Sequence, residues 1–146
     1  MTDDHFRNLE SMYLAAPCNE SYRPEIAITE GAAEIRFEVG PHLHHAARAV
    51  HGASYFKAMD DAAFFAVNSL VDDVFVLTAS FNVYLLRPIS RGSMIARGTV
   101  VNAGKNLWVA EATLEDDDAR LLGRGSGTFM RSRTALVDAM GYGDAD

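Results

Sequence analysis

Residues 33–39 alternate apolar and charged side chains without a break: Ala33, Ile35, Phe37 and Val39 against Glu34, Arg36 and Glu38. A period of two predicts a strand with one buried face. Residues 26–29 predict a partner strand, with Glu30-Gly31 as the turn between them and Gly40-Pro41 as the stop. Upstream, Phe6, Leu9 and Tyr13 stand at helical spacing. They predict a short amphipathic helix over about 4–14, capped by Asp3 or Asp4. Between about 53 and 70 the chain is apolar on nearly every side, and Lys57, Asp60 and Asp61 are its only charges. That pattern predicts a central helix buried on most faces, ending at Asp72-Asp73.

The period then returns to two. Phe75, Leu77, Ala79, Phe81, Val83 and Leu85 are expected on one face, with Thr78, Ser80, Asn82 and Tyr84 on the other. Further strands are expected over 94–102, 107–114 and 121–130, separated by turns at 88–92, 103–106 and 115–118. Four successive strands on short turns predict an antiparallel meander. Residues 134–140 read as a last helical turn, and 141–146 as loose. The fold class is α+β, a single domain over 1–146. A helix apolar on most faces needs a sheet curled around it. One small domain cannot cover both sides of that sheet, so subunits are expected to associate.

The length of 146 residues suits one domain, and 49% apolar with 23% charged residues is ordinary globular composition. No run approaches the ~20 apolar residues of a spanning helix. The first residues lack a basic head and apolar core, so no signal peptide is expected. With one cysteine, Cys18, an internal disulfide is impossible, and a cytoplasmic location is expected. A net charge of −7 argues against nucleic-acid binding. Eight of the thirteen basic residues nonetheless lie between Arg87 and Arg133, so the C-terminal half is the better host for an anionic ligand.

The candidate chemistry gathers where the central helix begins. The amides of Gly52 and Ala53 have no partner within the helix and sit at the positive end of its dipole, a receptor for a carbonyl oxygen gaining charge. Gly52 also permits close backbone approach. Asp60 follows His51 by nine residues on an otherwise apolar helix. Burial there raises a carboxylate's pKa and favours a base or nucleophile. Either acid could simply pair with Lys57. The i,i+4 spacing favours Lys57 with Asp61, which leaves Asp60 free. His51, ahead of a helix, is more often a structural hydrogen-bonder than a catalyst. His42, His44, His45 and His51 fall within ten residues, but no Cys-rich partner or HExxH accompanies them, and no metal is expected. Residues 123–127, Gly-Arg-Gly-Ser-Gly, lie in an alternating strand rather than before a helix. They read as close backbone approach, not as a phosphate loop.

His51-Gly52-Ala53, then Asp60, then Ala62-Ala63-Phe64, resembles the HGG…D helix of the phenylacetic-acid-type (PaaI-like) hot-dog thioesterases. Residues 78–88, ending in Arg87-Pro88, look like that family's next strand. Gly104-Lys105 and Gly125-Ser126-Gly127 resemble positions near its coenzyme A path. The likeness covers about 33–130. It implies the hot-dog fold and homodimers, often paired into homotetramers. It also implies an acyl-CoA substrate whose coenzyme A is part of the substrate, with no separate cofactor. By carry-over, Gly52 and Ala53 polarise the thioester carbonyl, while Asp60 from across the dimer interface attacks it or activates water. Thr78 helps hold that water. His45, His51, Tyr55 and Phe64 are expected around the substrate, and Lys105 and Arg124 near its phosphates. The acyl group is expected to be aromatic or of medium length. Ala53 replaces the second glycine of HGG, His45 the usual asparagine six residues before His51, and Arg48 the usual glycine three before it. The rival readings are an acyl-CoA-binding protein without turnover, a hot-dog dehydratase or hydratase, and a purely structural oligomerisation domain. No membrane or nucleic-acid partner is expected.

Overall fold

The computed structural model describes residues 2–145. Met1 and Asp146, the ends of the expected domain, lie outside the described residues. Helix α1 (Asp3–Ala15) buries Phe6, Leu9, Met12 and Tyr13 along one stripe. Its cap is Thr2, whose hydroxyl accepts from the His5 amide at 3.3 Å. Asp3 and Asp4 instead fill the first turn, where acids favour the dipole. Strands β1 (Glu25–Thr29) and β2 (Ala32–Glu38) form the expected hairpin, with Gly31 at φ +73° in the turn. Helix α2 (Gly52–Asn68) is the central helix. Its Ala58, Met59, Ala62, Ala63, Ala66 and Val67 are buried.

Four longer strands follow: β3 (Val74–Leu85), β4 (Ser93–Ala103), β5 (Leu107–Glu115) and β6 (Leu121–Ala135). All six strands make one antiparallel sheet in the order β1-β2-β4-β5-β6-β3, packed around α2. Small residues let helix and sheet approach closely. A Cβ built on Gly98 of β4 would come within 2.3 Å of the Ala62 carbonyl.

The expected four-strand meander holds only for β4, β5 and β6. Strand β3 lies at the far edge beside β6, not beside β4. It finds its hydrogen-bonding partner along the length of β6, from Val74 opposite Ala135 to Leu85 opposite Gly123, and its start is fixed at the end of α2. Buried Asn68 donates to the Val71 and Val74 carbonyls and accepts from the Val76 amide at 3.0 Å, which fixes where β3 begins. Residues 86–92 carry the chain back to β4. On the way the Leu86 amide bonds the Leu122 carbonyl, and the Ile89 carbonyl accepts from Val50 just ahead of α2. β6 also runs past its expected end, because Arg131 and Ala135 pair with Val76 and Val74 of β3. Only Leu136–Asp138 turn as a short 3-10 helix.

β3 departs from strict alternation as well. A β-bulge between Thr78 and Ser80 changes its parity. Val76 and Thr78 face α2 on one side of the bulge. Beyond it Phe81 meets Phe56 of α2 edge to face, while Ser80 points outward to Thr128. Thr78 therefore does not share a face with Ser80 and Asn82, as unbroken alternation required. Gly125 and Gly127 leave room for the Phe81 ring, which a Cβ on either would meet within 2.6 Å.

Candidate active site

Two concave sites lie along α2, one at its start and one at its middle. At the start, His51 is the N-cap. Its Nδ1 accepts from the Ala53 amide at 2.9 Å, and its carbonyl accepts from Ser54. The pair of open amides expected at Gly52 and Ala53 is thereby reduced to one. The Ala53 amide is already satisfied, and among the described residues only the Gly52 amide of the two lacks a partner. Gly52 packs closely on Leu85, whose Cδ1 would lie 2.9 Å from an added Cβ. His45, Gly52, Tyr55, Leu85 and Arg87 line a cleft of about 320 Å³ there.

Tyr55 is buried and donates to the Arg87 carbonyl at 2.7 Å, so its hydroxyl ties α2 to the 86–92 segment. Burial raises its pKa. The loop before α2 is held by His45, whose Nδ1 accepts from the Ala47 amide and whose backbone exchanges bonds with Ala49 and Arg48. Arg48 sits at φ +66°, a left-handed conformation that favours glycine. Among the described residues no three His, Cys, Asp or Glu side chains are grouped to hold a metal ion.

Eight residues further along α2 lies Asp60. Its Oδ1 accepts from the Thr78 hydroxyl at 2.8 Å, and no cation pairs with it among the described residues. Its neighbour takes the lysine instead: Lys57 Nζ lies 2.8 Å from Asp61 Oδ2, and the Tyr13 hydroxyl donates to the same oxygen at 2.7 Å. Lys57 also sits over the Tyr13 and Tyr22 rings, 5.7 and 5.3 Å from their centroids. Burial pushes the Asp60 carboxyl up to about 6; the Asp61 charge adds to that, while the Thr78 hydrogen bond and Lys57 oppose it. Asp61 is also raised by burial, against the pull of Lys57 and Tyr13. Tyr13 is raised by its own burial and by Asp61. Asp60, Thr78 and Phe64 share a cleft of about 440 Å³ whose walls include Met12, Phe75 and Met140.

The two candidate phosphate contacts lie apart. Arg124 is exposed on the outer face of β6, level with Tyr84, in a shallow polar site with Asn82, Glu111 and Ser126. Lys105 is exposed in the β4–β5 turn, next to Leu107, which pairs with Met130 and through it lies level with Leu77. Arg124 thus belongs to the Gly52 end of the sheet and Lys105 to the Asp60 end. Sequence reasoning missed Tyr13, which fixes Asp61, and Asn68, which sets the course of β3. Tyr13 showed only as one member of a helical stripe, and a polar residue closing an apolar run was the sole signal at Asn68.

Residues 48–122 match the family model described as thioesterase superfamily. A presumed esterase of Thermoplasma acidophilum is 26% identical over 102 residues, covering 70% of this chain and 77% of the relative. The structure of the E. coli PaaI protein, from the phenylacetic acid degradation operon, superposes with a TM-score of 0.82 at 20% identity, covering 90% of this chain and 96% of that one. A thioesterase of Haemophilus influenzae superposes with a TM-score of 0.78 at 20% identity, covering 92% and 94%. With a six-stranded antiparallel sheet around one long helix, the chain has the hot-dog fold, and it belongs to the thioesterase superfamily.

Proposed function

We propose that the protein is an acyl-CoA thioesterase working as a homodimer, paired into a homotetramer, on small aromatic or medium-chain acyl groups. The observation that carries this reading is Asp60. It is a carboxylate with no cation paired to it among the described residues, held by Thr78, raised to about 6, at the polar end of an apolar cleft in a thioesterase-superfamily chain. Such an acid is half ionised near pH 6 and mostly ionised at neutrality, poised in the range where a general base works best.

Gly52 and Asp60 are eight residues apart, about 12 Å along the helix, so one chain cannot present both to one carbonyl. A second copy resolves this. The edge strand β3 is twelve residues long and exposes Leu77 (51%), Tyr84 (71%) and Leu85 (51%). A long, apolar, unpaired edge calls for a partner. In the proposed pair, the thioester oxygen accepts from Gly52 of one subunit while Asp60 of the other takes a proton from water. The hydroxide adds to the carbonyl carbon, the oxyanion rests on the amide, and the carbon–sulfur bond breaks. The departing thiolate then recovers the proton from Asp60. In the alternative course Asp60 itself attacks, and water hydrolyses the resulting anhydride.

Thiol release from an acyl-CoA panel tests the reading. Asp60→Ala should lose roughly a hundredfold or more in kcat; a variant with the wild-type rate removes Asp60 from the chemistry. One observation favours a second reading, acyl-CoA binding without turnover: His51 occupies the Ala53 amide, leaving a single open donor. Tight calorimetric binding of acyl-CoA with no thiol released would decide for it.

A further inference from the structure

The cleft at Asp60 is not built from the hot-dog core alone. It starts at the Asp60–Thr78 pair and runs about one turn along α2 to Phe64, about 6 Å further on. Its outer wall comes from the two ends of the chain. Met12 and Ala16 stand at the end of α1, and Met140 follows the last strand. These walls are fixed to each other. The Tyr142 hydroxyl meets His5 Nδ1 of α1 at 2.8 Å. Gly141, at φ +84°, lies so close to α1 that a Cβ there would come 2.6 Å from the Ala15 methyl. The charged groups facing the cleft from α2 neutralise one another, because Lys57 and Asp61 are paired and Tyr13 closes the remaining bond. What is left is an apolar slot with one acid at its head, the usual composition of a small-ligand pocket.

We propose that this slot holds the acyl chain, and that Ala16 and Met140 set the longest chain accepted. The assignment rests on Asp60 being the acid that acts on the thioester. With the carbonyl at Asp60, the chain points toward Phe64 and the α1 wall, so the acyl group lies against the subunit that supplies the acid. A volume of about 440 Å³ has room for on the order of ten to fifteen methylene-sized groups, taking ~30 Å³ for each as for water. That takes an octanoyl or phenylalkanoyl group with room to spare and is about filled by a palmitoyl tail.

The test measures kcat/KM for propionyl-, octanoyl- and palmitoyl-CoA in three proteins. Ala16→Trp fills the slot, and each methylene denied burial is worth about fourfold. Its octanoyl-to-propionyl ratio should therefore fall at least tenfold. Met140→Ala, at a position that is 64% exposed and so safe for folding, should raise the palmitoyl-to-octanoyl ratio several-fold. Unchanged ratios in both variants, with Asp60→Ala still inactive, would overturn the acyl slot and leave the hydrolase reading standing. If the wild type releases no thiol from any substrate, the hydrolase reading fails by itself. The slot is then judged by calorimetry: octanoyl-CoA should bind more tightly than coenzyme A, and Ala16→Trp should erase the difference. An undiminished difference would overturn it.

Discussion

Replacing Asp60 by asparagine should stop turnover and stabilise the fold in one step. The asparagine keeps an oxygen for the Thr78 hydroxyl, now 2.8 Å from Oδ1, and removes only the charge. Burial lifts the carboxyl from 3.8 to about 6. Holding it ionised in the fold therefore costs up to about 3 kcal/mol above pH 7. Part of the side chain still meets water, so a gain of ~1–2 kcal/mol is the fairer expectation. For a domain of this size that is about 3–6 °C in Tm. The sign follows from the order of the two pKa values. The folded value lies above the unfolded one, so the fold favours the protonated acid. The native state is unburdened below about pH 4 and loses stability as the pH climbs through 6. Melting curves of both proteins at equal concentration, at pH 8 and pH 5, check this. The variant should melt higher at pH 8, and the gap should shrink by about half at pH 5. Equal melting temperatures at pH 8, or a gap that ignores pH, would refute the burial argument whatever the activity shows.

Three further perturbations probe the same network. Lys57→Met removes the cation that lowers both acids, so the pH at which kcat/KM reaches half its plateau should rise. Urea titration should show a loss of about 2 kcal/mol, between the values for exposed and buried pairs, because both side chains are mostly buried. Thr78→Val removes the hydrogen bond that favours the charged form of Asp60, so its rate should fall further behind wild type at pH 6 than at pH 8. Arg48→Gly relieves a left-handed backbone at φ +66° and should gain roughly 0.5–1 kcal/mol in chemical denaturation, after the entropy that glycine costs the fold.

The elements and their type were legible because each carries its own period. The alternation at 33–39 and the all-round apolar run at 53–70 became β2 and α2 with ends shifted by a residue or two. The pairing of Lys57 with Asp61, leaving Asp60 unneutralised, was legible for the same reason, since i,i+4 spacing is a property of one helix. What depends on partners distant in the chain was not. β3 takes its hydrogen-bonding partner from β6, far along the chain, so it could not be placed there from its own residues. The bulge at Thr78–Ser80 leaves no mark on composition, yet it turns Thr78 onto Asp60. His51 showed the converse limit. Its position ahead of α2 identified a hydrogen-bonder, but not that the bond would take the Ala53 amide.

The spacing of the two half-sites itself suggests how copies would meet. Gly52, Phe56 and Asp60 recur every four residues, on one stripe of α2. Phe56 lies midway between the other two, and it is an exposed aromatic leaning on Phe81 of the chain's own β3. In an isologous contact, residue i of one copy faces residue j of the other, and j faces i. A two-fold axis passing near Phe56 would therefore set each Gly52 amide opposite the other subunit's Asp60, completing two identical sites at once. The same axis would bring the two β3 edges together and cover Leu77, Tyr84 and Leu85. The apolar edge and the divided chemistry are then met by a single contact. On the proposed pairing, neither the gap of about 12 Å nor the exposed strand would count against catalysis.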